Sequence, residues 1–154
     1  MESEVQQTGQ KSAKRKKMTD LEKAKQILDE ENCTLVLCNG DDIYKTDKKG
    51  LEPLIECIES GNDYWDWTAC DKVVGRAAAF LYVLLGVKEV HAKVMAKLAI
   101  QILDKAEIKY STDLFVNQIN SPDGKTIHPL EDAVLRSGSA NNALRDIKAY
   151  LASH

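Results

Sequence analysis

Residues 68–86, TACDKVVGRAAAFLYVLLG, crowd an aspartate, two cations and a glycine against the start of an apolar run. Asp71 suits the N-cap of a helix beginning there, because its carboxylate accepts the free amides of a first turn. Lys72 and Arg76 stand four apart on one helical face, where cations oppose the helix dipole by about 0.3–1 kcal/mol each. A bound anion offsets that cost. Free backbone amides, two cationic side chains and Gly75, which permits close approach, together make a corner for a phosphate or carboxylate. Ala96 and Lys97, at the start of the next predicted helix, complete this pocket. The plainer alternative needs no ligand: Asp71 neutralises Lys72, Arg76 reaches water, and Gly75 lets a neighbouring element pack closely.

Three further sets carry chemistry. Cys70, beside Lys72 and the helix start, is placed for a lowered thiol pKa and nucleophilic attack, or else for small apolar filling at a strand end. His128 with Glu131 offers an acid/base pair near neutral pH. The same two residues also suit a plain helix start, with His128 capping, Pro129 first and Glu131 favouring the dipole. Tyr64, Trp65 and Trp67 offer a platform for a base, or packing in the core or at a dimer interface. His91 is read as a strand residue with a satisfied hydrogen bond.

These residues need elements to hold them. TDLEKAKQILDE opens with Thr19 as N-cap and Glu22 as its capping-box partner, followed by an apolar stripe, and predicts a helix. CTLVLCNGDDIYKT predicts a hairpin turning at Asn39-Gly40. Its Cys33 and Cys38, five apart along a strand, face opposite sides about 17 Å apart and cannot share a metal. GLEPLIECIESGN predicts a short helix with Pro53 in its first turn and Gly61 as its stop. DYWDWTAC alternates like a strand running into the helix at Asp71, and GVKEVHAKVM predicts another strand. AKLAIQILDKAE predicts an amphipathic helix, and IKYSTDLF a short strand that bends away. Pro122-Asp123-Gly124 marks a turn, Pro129 starts a short helix, and Leu144, Ile147 and Leu151 stripe a last one. Strands alternating with helices after an initial hairpin predict the α/β class, a three-layer α/β/α sandwich with a mixed sheet.

The chain has 154 residues, 44% of them apolar, enough for one domain over residues 19–154 behind a basic leader, residues 1–18, that has almost nothing to bury. The leader carries five basic against two acidic residues, so the net charge of -3 conceals a more acidic body. Such a body is ill suited to tracking a phosphate backbone; the leader's KSAKRKK suits nucleic acid or an anionic surface, but a solvated, disordered segment is the leading expectation. No run is long enough to span a bilayer and no secretion signal is evident, so a cytoplasmic protein is expected. Four cysteines without a C-x-x-C pair read as free thiols.

The stretches DKVVGRAAAFLYVLLGVKEVHAKVMAKLAIQIL, LVLCNGDDIYKTDKKGLEPLIE and HPLEDAVL resemble domain-of-unknown-function family 1893, over roughly residues 33–150. DKVVG-x-AAA is the most specific part. The resemblance implies a cytidine deaminase-like α/β/α fold and brings no established activity. Zinc deaminases require His (or Cys)-x-Glu at one helix start and Pro-Cys-x-x-Cys at the next. The corresponding stretches here, CDKVVG and MAKLAI, hold a single thiol, Cys70, and His91-Ala92-Lys93 puts a lysine where the carboxylate belongs. A catalytic zinc would lack its three protein ligands, so neither metal nor other cofactor is expected. Where the family pattern commonly reads Cys-Pro-Met-Glu, this chain has His128-Pro129-Leu130-Glu131, retaining the glutamate and losing the thiol. The leading expectation is a zinc-free domain that binds a small anionic or nucleotide-like ligand at Asp71, Lys72, Gly75 and Arg76, with Lys97 nearby. Its alternatives are a non-metal transferase or hydrolase on nucleotide-like substrates, acting through Cys70 or through His128 and Glu131, and a self-associating module, such as a homodimer.

Overall fold

The structure is a computed structural model that describes residues 18–154, so the basic leader lies, but for Met18, outside the described residues. Thr19 makes both halves of the expected capping box: its Oγ1 accepts the Glu22 amide (3.1 Å) and its own amide donates to the Glu22 carboxylate (2.8 Å). That starts α1 (Asp20–Glu30), which buries Ala24 and Leu28. The hairpin follows as β1 (Leu35–Asn39) and β2 (Asp42–Thr46). Asn39 pairs with Asp42, which leaves Gly40 and Asp41 as the turn, one residue beyond the expected position, with Gly40 at φ 63°. Then come α2 (Glu52–Glu59), β3 (Thr68–Val74), α3 (Arg76–Leu85), β4 (Glu89–Ala96), α4 (Lys97–Lys105), β5 (Lys109–Val116), α5 (Pro129–Ala133) and α6 (Ala140–Ser153).

The five strands form one mixed sheet in the order β2-β1-β3-β4-β5. β1 runs antiparallel to both β2 and β3, while β3, β4 and β5 are parallel. Alternation along β1 separates two cores: Leu35 and Leu37 join the larger, Val36 and Cys38 the smaller. The smaller is covered by α1; the larger is built around α3, which packs against α2, α4 and α6. This is the expected three-layer arrangement. Residues 77–82 and Leu85 of α3 are all buried, as its unbroken apolar run requires.

Several expectations change. The helix read from Asp71 starts five residues later, at Arg76, because residues 68–74 form a central strand with β1 and β4 on either side. Two ladders outweigh a local capping signal, and Val73 and Val74 suit extended backbone. DYWDW is not a strand: Trp65 and Asp66 form a turn, with Asp66 at φ 68° and its amide donating to the Gly86 carbonyl (2.8 Å). Tyr64 and Trp67 pack edge to face 4.8 Å apart, and the largely exposed Trp65 lies on Gly86. β5 does not bend away but pairs with β4 from Lys109 to Val116. Cys33 precedes β1, so strand alternation does not govern it, and it shares the smaller core with Cys38 and Cys70. Among the described residues, no helix is long and apolar enough to cross a membrane.

Candidate functional site

The start of α3 has no capping side chain of its own, since Gly75 occupies the N-cap. A distant carboxylate fills the gap. Glu131, buried in α5, accepts the Arg76 amide on one oxygen (2.7 Å) and the Ala77 amide on the other (2.8 Å). Gly75 makes room for it: a Cβ there would lie 2.2 Å from Glu131 Oε1. The Arg76 side chain turns the other way, its Nε donating to the Val134 carbonyl (3.1 Å) and its Nη2 to the Ser137 carbonyl (3.2 Å), with the guanidinium over Phe80. Lys97 is exposed on α4 and borders no part of the cavity described below. Of the residues read as an anion corner, Asp71, Lys72 and Gly75 meet at that cavity, while the Arg76 side chain and Lys97 lie elsewhere. The corner's amides already hold a protein anion, the better partner because it arrives without loss of a free ligand's translational entropy.

What adjoins the helix start is a cavity of about 380 Å³. The end of β3, the first turn of α3, the β2–α2 connection and the approach to α5 enclose it. Leu35, Leu51, Pro53, Leu54, Ala77 and Ala78 supply apolar wall, while Asp71, His128 and Glu131 bring polar groups. Lys48 and Lys49 border it as cations, while Lys72 touches it from β3 with its charge acting on Asp29 and Cys33 on the α1 face of the sheet. Thr34 anchors the lysine-bearing connection by donating from Oγ1 to the Lys48 carbonyl (2.6 Å), and Lys48 Nζ lies 3.8 Å from Glu56.

Asp71 reaches this cavity from within the sheet rather than as a helix cap. Its Oδ2 accepts the Tyr82 hydroxyl (2.6 Å), and Oδ1 accepts the Val73 amide at a long 3.4 Å. Burial pushes the Asp71 carboxyl up to about 6, against the opposing pull of the Tyr82 hydrogen bond. Burial, with the Asp71 charge beside it, drives the Tyr82 phenol well above its ordinary value, so it stays a donor. His128 caps α5 by accepting the Leu130 amide on Nδ1 (3.1 Å). His128 and Glu131 thus meet at one cavity, with the ring's Nδ1 and both carboxylate oxygens engaged by backbone amides.

Cys70 belongs to the other side of the sheet. It is 1% exposed in the smaller core, and burial, then the neighbouring Asp71 charge, pushes its thiol up to about 12. That opposes the nucleophile reading, since the thiolate is the reactive form. Beside it in register stand His91 and Ser111, the ring's Nδ1 lying 2.8 Å from Ser111 Oγ and its Nε2 3.3 Å from Asp113. Burial, then nearby Lys25, lowers the His91 pKa, so the ring is neutral near pH 7. His91 is the expected strand residue, hydrogen-bonded at Nδ1 but with its buried Nε2 making no hydrogen bond. The zinc implied by a deaminase-like fold finds no matching donors: α3 starts with Gly75 and Arg76, and α4 with Ala96 and Lys97. Among the described residues, no cluster of three or more His, Cys, Asp or Glu side chains is arranged to hold a metal ion.

Sequence reasoning missed the Tyr82 partner of Asp71, the Glu131 cap, and Lys48 and Lys49. A glycine N-cap without a capping side chain signals a partner from elsewhere, but only packing says which.

Fold and site define an α/β domain with a mixed five-stranded sheet and an amphipathic cavity beside its central helix. The family model TM1506, domain of unknown function (DUF1893), matches residues 23–151, and the chain belongs to that family. Among solved structures, the crystal structure of a DUF1893 family protein (TM1506) from Thermotoga maritima is similar, with a TM-score of 0.76 and 26% identity, covering 87% of this chain and 89% of that one. No curated protein matches the chain.

Proposed function

We propose that this is a zinc-free domain of cytidine deaminase-like fold whose cavity binds a small anionic, nucleotide-like ligand. The observation that carries the reading is two lysines, Lys48 and Lys49, bordering a largely apolar cavity of about 380 Å³. That size falls within the usual range for small-molecule sites, roughly 300–1,000 Å³. The apolar wall accepts a ring system and the lysines accept an anion. The location agrees with the habit of open α/β sheets to bind at the carboxyl ends of parallel strands. The ligand's anionic group meets the lysines and not the amides of α3, which Glu131 occupies. Binding is favoured over catalysis because Cys70 is sealed in the smaller core, and because Glu131 and His128 cap helices.

A thermal-shift series with nucleoside monophosphates and inorganic phosphate tests this at low and high salt. Nucleotides should raise Tm more than phosphate does, and at a hundredfold excess over Kd the gain is about 2.7 kcal/mol. The shift should shrink with salt and in the Lys48→Ala, Lys49→Ala double variant. Equal shifts with phosphate alone, or none with any nucleotide, would end the nucleotide reading.

A further inference from the structure

We propose that Asp71 selects the ligand: its carboxylate favours compounds presenting an exocyclic amino group, as in an amino-substituted heterocycle, over analogues with a carbonyl oxygen at the same place. This rests on the reading of the cavity as a ligand site and adds what the ligand must carry at the end away from its anion.

The argument is one of donors and acceptors. Asp71 borders the cavity from the centre of the sheet, paired in register with Leu35 on one side and Ala92 on the other. Tyr82 fixes the carboxylate's orientation by donating to Oδ2 at 2.6 Å. The rest of the carboxylate's support comes from backbone amides of its own strand, with the Val73 amide at 3.4 Å from Oδ1, longer than an ordinary N–H···O bond, and the Lys72 amide beside it. An oriented acceptor with capacity to spare, bordering an apolar cavity, is satisfied by an incoming N–H. A carbonyl in that position would set lone pair against lone pair. Sites built to hydrogen-bond one group reject the analogue lacking it far more strongly than apolar pockets reject a methylene.

Protonation sharpens the test. Tyr82 from α3 bonds Asp71, and Cys70 and Lys72 flank it on its strand, while His128 and Glu131 from the α5 side and Lys48 and Lys49 from the β2–α2 connection share its cavity. Burial raises the carboxyl to about 6. Below that pH the acid can donate to a carbonyl; above it, it can only accept. Preference for the amino edge therefore grows as pH rises through about 6.

Isothermal titration with AMP against IMP, and CMP against UMP, decides it. Each pair shares its phosphate, so the ratio of affinities cancels the lysine contribution and the phosphate's own titration. At about pH 8 the amino member should bind roughly tenfold or more tightly, with the ratio narrowing near pH 5. Asp71→Asn, whose amide both donates and accepts, should bring the ratio close to one while both members of each pair still bind. Tyr82→Phe, which frees the carboxylate to rotate, should lower the ratio in part. A folded Asp71→Asn variant that keeps the wild-type ratio overturns the inference, as does a wild-type ratio of one at the higher pH. Should none of the four nucleotides bind, the cavity reading itself fails and takes this inference with it.

Discussion

Glu131 and Gly75 form a pair in which each explains the other. The carboxylate replaces a capping side chain on α3, and the missing Cβ lets it approach. Gly75→Ala should therefore push Glu131 off both amides and cost about 2–3 kcal/mol, read as a lower midpoint in urea at unchanged m-value. Asp71 makes a prediction of opposite sign. Its carboxyl is raised from 3.8 to about 6 in the folded chain, so between those pH values the folded state holds more protons than the unfolded one. Its ionisation thus costs stability as pH rises through that window, and the loss is complete above about 6. Asp71→Asn retains an acceptor for Tyr82 and removes the titration. Melting temperatures measured across this window should show a flatter profile for the variant, which gains on wild type at neutral pH by about 1–2 kcal/mol.

At the scale of elements, what could be read from the sequence was whatever local pattern decides. The α1 capping box, α4 and α6 each lie where periodicity and capping residues place them, and the hairpin forms with its turn one residue on. The start of α3 was misread because an aspartate before an apolar run is a local signal, whereas the extension of β3 to Val74 depends on ladders to β1 and β4. DYWDW failed similarly: its alternation comes from aromatics packed on a turn, not from pairing. The site was less legible still. The Glu131 cap joins residues 54 and 55 apart in sequence, which no window spans. Lys48 and Lys49 carry no local signal of a site, and only folding puts a cavity beside them. The first element offers its own check. Thr19→Ala removes the α1 cap and should cost about 1 kcal/mol. Because α1 covers Cys33, Cys38 and Cys70, the same variant should speed their reaction with a thiol reagent under native conditions, while Cys57, in the larger core, responds no faster.

For the molecule as a whole, the cavity draws its wall from three distant stretches, around residues 34–54, 71–78 and 119–131. The first two belong to or adjoin the sheet and its central helix. The third is held by the Glu131 carboxylate, by Arg76 bonds to the Val134 and Ser137 carbonyls, and by Val134 and Leu130 against the larger core. Glu131→Ala should thus act regionally. Amide exchange should accelerate across residues 117–133, and a protease should nick there first, while β3 and β4 remain as protected as in the parent chain. The fastening of this stretch to α3 by a few polar bonds and two apolar anchors gives the chain a roof that can come loose without its foundations.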